Sequence, residues 1–248
     1  MPEQYIQEAL QELQAWQKKM LKKPSLTNRL TSTVQKKLNN IIPKKVHNAI
    51  TTAIKSMTKG VLFGATYATS KALLNATLQE REIKINSRID TYKKTGAVEG
   101  GVTGAGGFFT SLADFPILLG IKMKMLFDVA ALYGFDVKDY RERLYMLYIF
   151  QLAFSSDEER KKAFERIEDW DNQLHTLPAD INDFDWQTFQ QEYRDYIDIA
   201  KLAQLIPFIG AAVGAIANYK LINKLGFTAK QAYRMRLLPV ESQRLRPA

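Results

Sequence analysis

The sequence predicts an all-α protein: a single multi-helix domain built around two Gly/Ala-rich helical hairpins, preceded by basic amphipathic helices. Three observations predict it. Apolar residues recur at three- and four-residue spacing along most of the chain, the period of helices with one buried face. Prolines and glycines fall between these stripes, where helices end. Glycines also repeat every four residues, at Gly96, Gly100 and Gly104 and again at Gly210 and Gly214. On a helix that spacing makes a stripe without side chains, against which another backbone can approach closely.

In residues 4–21, Ile6, Leu10, Leu13, Trp16 and Met20 form the first stripe, opposite a Gln/Glu/Lys face. Pro24 breaks this helix. A second stripe follows at Leu26, Leu30, Val34, Leu38 and Ile41, and Pro43 ends it. Val46, Ile50, Ile54 and Met57 mark a third. The lysine pairs Lys18-Lys19, Lys22-Lys23, Lys36-Lys37 and Lys44-Lys45 decorate these helices, as on basic helices that lie on anionic surfaces. Gly60 and Gly64 repeat the four-residue spacing ahead of Ala65, Ala68 and Ala72, a pattern that close helix packing explains. Residues 80–94 are charged and read as a connecting helix.

Six of the thirteen glycines lie between Gly96 and Gly107. Residues 95–134 read as a tight helical hairpin whose second arm starts at Asp114, with Pro116 in its first turn, and ends after Tyr133 at Gly134. Asp136 is placed to cap the next helix, an aromatic-rich one through Tyr148 and Phe154 that reads as core. Ser156 to Glu159 has the form of a capping box, opening a helix to about Leu174. Residues 177–185 are an acidic loop. Its Asp180, Asp183 and Asp185 lack the glycine and the terminal glutamate of a calcium loop. Residues 186–205 are helical again. Pro207 then opens the second hairpin, Gly226 closes it, and Thr228 begins a short basic helix before a frayed tail.

The net charge of +9 is uneven. Residues 1–94 hold 17 Lys/Arg against 6 Asp/Glu, residues 95–134 hold 2 against 3, residues 135–203 hold 9 against 16, and residues 204–248 hold 7 against 1. Two basic ends around an acidic middle point to an anionic surface as partner, or to halves that attract one another. No basic start leads into an apolar core at the N-terminus, so a secretory signal is not expected, and no apolar run is long enough to span a bilayer conventionally.

Catalytic patterns are missing. Gly106-Gly107 is followed by Phe108-Phe109 rather than the lysine and hydroxyl of a phosphate loop, and the dinucleotide spacing fails at Phe109. Zero cysteines and only two histidines, His47 and His175, leave little for metal or acid–base chemistry. Neither catalytic, cofactor nor metal residues are assigned. Asp114 and Asp128 interrupt apolar runs, where a carboxylate must be hydrogen-bonded or functional. Capping accounts for Asp114, and a buried pair with an Arg or Lys accounts for Asp128. Asn218 is expected to bond a neighbouring backbone.

The stretch EGGVTGAGGFFTSLADFPILLGIKMKMLFDVAALYGFD, together with IPFIGAAVGAIANYKLINKLGFTAKQAYRMRLL, resembles the EcsC protein family of bacteria. The opening LQAWQKKMLKKPSLTNRLTSTVQKKLNNIIPKKVHNAI is similar to its Gram-positive members. The resemblance implies an all-helical protein on the cytoplasmic side, with a namesake encoded beside an ABC exporter, and it carries over no catalytic residue. Asp114, Pro116, Tyr133, Gly134, Pro207, Gly210 and Gly214 also resemble a pattern in the helical domain that follows the G domain of some bacterial GTPases, where membrane association is suspected.

Three functions are expected, in order. The first is a non-enzymatic, membrane-associated protein, cytoplasmic and peripheral on the inner membrane face. Its partner would be an anionic membrane surface or an integral membrane protein such as an exporter. Helix packing or hairpin insertion falls to Gly96, Gly100, Gly104, Asp114, Pro116, Asp128, Tyr133, Gly134, Pro207, Gly210, Gly214 and Asn218. Surface contact falls to Lys18, Lys19, Lys22, Lys23, Lys36, Lys37, Lys44 and Lys45. The second is a soluble protein–protein interaction module. The third, nucleic-acid binding through the basic N-terminal third, lacks a recognised motif. No small-molecule substrate is evident.

Overall fold

Thr77 and Glu80 open the longest helix by satisfying each other's groups: the Thr77 N–H donates to Glu80 Oε2 at 2.8 Å, and the Glu80 N–H donates to Thr77 Oγ1 at 3.3 Å. The computed structural model describes residues 2–22, 44–63, 69–73, 75–105, 114–156, 159–195, 197 and 211–238. Within them the helices are α1 (Pro2–Leu21), α2 (Lys44–Phe63), α3 (Leu78–Ala105), α4 (Phe115–Tyr133) and α5 (Tyr140–Phe154). They continue as α6 (Arg160–Glu168), α7 (Trp170–Thr176), α8 (Trp186–Asp195) and α9 (Ala211–Leu237). Extended pairing among the described residues is limited to one antiparallel bridge, Ser155 with Ile197. The protein is all-α. None of the described helices is long and apolar enough to cross a membrane.

Two helices form the centre. Fourteen of the nineteen residues of α4 and twelve of the fifteen of α5 are buried. A helix apolar on all sides must be enclosed by others. Here α3 and α9 flank α4, α2 packs on α4 and α5, and α1 reaches α3, α6 and α9. The aromatic run of α5 is core, as its spacing suggests: Tyr145, Leu147, Ile149, Phe150 and Phe154 are fully buried.

The antiparallel seam of α3 and α9 sets the architecture. A Cβ on Gly96 would lie 2.2 Å from Ile222 Cδ1, and a Cβ on Gly226 would lie within 2.9 Å of three Ile89 atoms. Each helix thus seats an isoleucine against a bare backbone of the other. The Glu82–Arg234 ion pair continues the register, and it places the glycine-rich end of α3 beside the start of α9.

Several sequence expectations are corrected. The charged connecting segment and the glycine stretch as far as Ala105 are one helix, α3. Gly226 does not close a hairpin, and Thr228 does not start a helix, because α9 runs through both; the gap left by the missing side chain is filled by Ile89. Asp114 does not cap α4 with its side chain. Its carbonyl instead accepts from the N–H groups of Ile117 and Leu118. Asp139, not Asp136, caps α5, accepting from the Arg141 N–H at 2.9 Å. Asp136 binds the Lys138 N–H in the preceding turn. The helix expected to run to about Leu174 breaks at Asp169 into α6 and α7. Among the described residues nothing lies within 4 Å of where a Cβ on Gly60 would be, so they show no close packing at that position. Gly134 does end α4, at φ 98°. Pro207, Gly210, Gly64, Lys23, Lys36 and Lys37 lie outside the described residues, as does the helix expected at 26–41.

Candidate functional site

Three helix ends meet at one pole of the molecule. The Asp128–Tyr92 and Tyr133–Glu82 bonds make α4 antiparallel to α3. The Lys122–Asn218 bond and the Tyr133–Tyr233 ring contact make it parallel to α9. The start of α4 therefore lies level with the start of α9 and the end of α3.

These ends are poor in charge. Residues 115–121 and 211–219 carry none, and residues 95–105 carry only Glu99; half-exposed Asp114 precedes α4. Large apolar side chains nevertheless face solvent here: Val98 is 65% exposed, Ile216 57%, Ile117 54% and Tyr219 44%. The next turn of each helix is cationic: Lys93 and Lys94 on α3, Lys122 and Lys124 on α4, Lys220 and Lys224 on α9. Lys93 is paired with Asp90 at 2.5 Å and lies over the Tyr219 ring at 5.0 Å. Lys94, Lys220 and Lys224 face solvent. An apolar tip below a band of lysines is the result.

Lys122 is the one belt lysine turned fully inward. Its Nζ donates to Leu118 O at 3.2 Å and to Asn218 Oδ1 at 3.0 Å. Burial lowers its amine to about pH 7, and no charge among the described residues offsets that. Asn218 thus accepts from a buried amine across the α4–α9 contact. Lys122 was legible in the run FPILLGIKMKMLFDV, which it interrupts as Asp128 does.

The remaining sites tie helices together. Asp128 is buried as expected beside cations, with Lys124 Nζ at 3.2 Å and Arg88 Nε at 3.7 Å. It also accepts from Tyr92 OH at 2.6 Å and the Ser70 N–H at 2.7 Å. Burial pushes its carboxyl up, but these bonds outweigh it and hold the group below the usual range. Glu82 takes Arg234 bidentately, through Nε at 2.7 Å and Nη2 at 2.5 Å, and accepts from Tyr5 and Tyr133. Arg234 Nη1 also reaches Glu12 of α1. Glu142 is bound by Tyr233 OH at 2.6 Å and Arg236 Nη1 at 2.7 Å, and the guanidinium lies 3.9 Å from the centre of the Phe135 ring. In the acidic loop, Asp180 binds the Asn182 N–H and Asp185 the Thr188 N–H, which are turn and cap bonds.

A family model described as the EcsC protein family matches residues 7–238, from within α1 to the end of α9. The chain belongs to the EcsC protein family. Protein EcsC of Bacillus subtilis (strain 168) is 46% identical over 230 residues, which is 92% of this chain and 94% of that one. Uncharacterized protein YdbA of the same organism is 32% identical over 141 residues, covering 56% of this chain and 51% of that one. No solved structure matches.

In this EcsC-family fold the residues singled out from the sequence separate into groups. Gly96, Pro116 and Asn218 come together at or just below the pole with Asp114, and the backbones of Gly100, Gly104 and Gly214 are helical there. Tyr133 and Gly134 lie at the far end of α4, about 25 Å away at 1.5 Å per residue. Lys18, Lys19 and Lys22 are exposed where α1 meets α6, with Arg160 Nη2 donating to Lys22 O at 3.2 Å. Lys44 and Lys45 are exposed at the start of α2.

Proposed function

We propose that this protein is a non-enzymatic, membrane-associated helical protein, an accessory to an integral membrane protein such as an exporter, whose apolar pole enters the bilayer interface without crossing it. The observation that supports this reading is the convergence of three charge-poor helix ends, with Val98, Ile117, Ile216 and Tyr219 exposed below a level of lysines. The distance from Phe115 to Lys122 along α4 is about 10 Å, close to the depth at which interfacial helices bury their apolar faces. At that depth the exposed Lys94, Lys220 and Lys224 stand among headgroup phosphates, each worth about 1 kcal/mol on an anionic surface. The protein partner would be met from this position.

Vesicle flotation tests the reading. The protein is expected to float with vesicles containing phosphatidylglycerol and to bind less at high salt. The double variant V98N/I216N removes the exposed apolar side chains of the tip without touching the core or the charge, and should bind at least about tenfold more weakly. Undiminished flotation of that variant would overturn insertion by the pole. If the wild-type chain stays off vesicles altogether, the pole is a docking face for protein alone.

A further inference from the structure

We infer that Lys122 is the latch of the apolar pole: as a neutral amine it holds α4 against α9 through Asn218, and when it takes a proton from water the seam opens and frees the pole for insertion. The inference rests on the membrane reading for its purpose but not for its chemistry.

The donor count carries it. A neutral amine has two N–H groups, and the buried Nζ has two acceptors, Leu118 O and Asn218 Oδ1. An ammonium has three donors and a full charge. Among the described residues the site offers neither a third acceptor nor a carboxylate, so protonation leaves a desolvated cation that favours any arrangement exposing it. Lys122 lies directly behind the charge-poor first two turns of α4, and Asn218 within the corresponding part of α9. Parting this bond therefore loosens those two ends and leaves the α3–α9 seam at Glu82–Arg234 in place.

The surrounding charges are already engaged or turned away. On α4, Lys124 is bound to Asp128, which also holds Tyr92 of α3. On α3, Lys93 is paired with Asp90, and Glu99 is half-exposed on the pole. On α9, Tyr219 lies under Lys93, and Lys220 and Lys224 face solvent. Of the other helices packed on α4, α2 turns Lys44, Lys45, Lys55 and Lys59 to solvent. On α5, Glu142 is bound by Arg236, Arg141 is paired with Asp139, and Arg143 donates to the Val137 and Val61 carbonyls. Tyr140 and Tyr145 donate to the Pro178 and Ala232 carbonyls, and Tyr148 packs edge-on against Trp170 and Phe189.

The sign follows from linkage. Burial lowers the amine in the closed seam from the ordinary 10.5 to about 7. The closed state is therefore favoured as pH rises through this window. Opening should grow about tenfold per pH unit of fall from about pH 9 to about pH 8, more slowly toward pH 7, and level off below.

Hydrogen exchange of the full chain without lipid reads this directly, after correction for the intrinsic pH dependence of exchange. In the wild type, amides of 115–121 and 215–222 should lose protection on this profile. Lys122→Met, which cannot be charged, should remove the dependence, and Lys122→Arg, which cannot be neutral, should leave the pole open throughout. If Lys122→Met does not fold, Lys122→Met with Asn218→Leu restores an apolar seam and should behave alike. A wild-type profile that survives in the methionine variants overturns the latch. Vesicle flotation of the same proteins keeps the two readings apart: a latch that responds to pH without any flotation stands while the membrane reading falls, and flotation with no exchange response does the reverse.

Discussion

Arg234 shows how one residue ties distant parts of the chain. Its guanidinium joins Glu82 of α3 and Glu12 of α1, while Tyr5 and Tyr133 hydrogen-bond the same Glu82 carboxylate. Burial alone would lower the charge affinity of Arg234, and the two carboxylates more than reverse this. Removing one member leaves the other as an uncompensated buried charge. Arg234→Met should therefore cost about 3–5 kcal/mol in denaturant unfolding, with α1 losing protection first. A loss below about 1 kcal/mol would mean that water already reaches Glu82. None of this was legible in the sequence. Glu82 sits in a charged run and Arg234 in a basic one, and each alone reads as solvated surface. Asp128 was legible, because a carboxylate among Met, Leu, Phe and Val must find partners; which ones, including the Ser70 N–H, depended on a segment 58 residues away.

At the scale of elements, the seam of α3 and α9 rests on two glycines in unequal settings. A Cβ on Gly96 would press on Ile222 Cδ1, the far end of a flexible side chain that can turn away. A Cβ on Gly226 would meet Cδ1, Cγ2 and Cγ1 of Ile89 together, which no single rotation relieves. Alanine gains about 1 kcal/mol of helix propensity at either site. Overpacking costs about 1–3 kcal/mol. Gly96→Ala should therefore be near neutral and Gly226→Ala destabilising by about 1–2 kcal/mol in thermal or denaturant unfolding. Equal effects would show that the helices slide rather than clash. The glycine spacing told correctly that a helix is approached closely at Gly96. It did not tell which one, and Gly226 of α9, which Ile89 packs against, reads from sequence as a helix end because a single glycine before Thr228 looks like a stop.

For the whole molecule, burial of phenols sets the alkaline limit. Burial pushes Tyr133, Tyr145, Tyr193 and Tyr233 well above the ordinary 10, and with the Glu82 bond it pushes Tyr5 up to about 12. A raised phenol keeps its proton in the folded chain where the unfolded chain has lost it. Its contribution is complete below pH 10 and declines above, by up to about 1.4 kcal/mol per unit for each group. Lys122 acts oppositely, adding stability from about pH 7 toward its ordinary value of 10.5. Stability in denaturant should thus rise from neutral pH, pass a maximum near pH 10, and fall steeply as tyrosinate absorbance appears together with unfolding. Phenols ionising fully before unfolding would contradict the packing of the core.

By itself the sequence determined that this chain is helical, where most helices run and that α5 is core, and its two glycine-bearing motifs carry the resemblance to the EcsC proteins. The first three follow from period, caps and residue type, which act over a turn or two of chain, and the last from matching motifs. The tertiary structure alone decided that the glycine helix pairs with α9 in an antiparallel seam, that Gly226 lies inside a helix, and that Lys122 meets Asn218 across 96 residues. It also decided that three charge-poor ends gather at one pole. Each of these is a contact between residues far apart in sequence, and local spacing carries no information about which distant face will fill a gap or neutralise a charge.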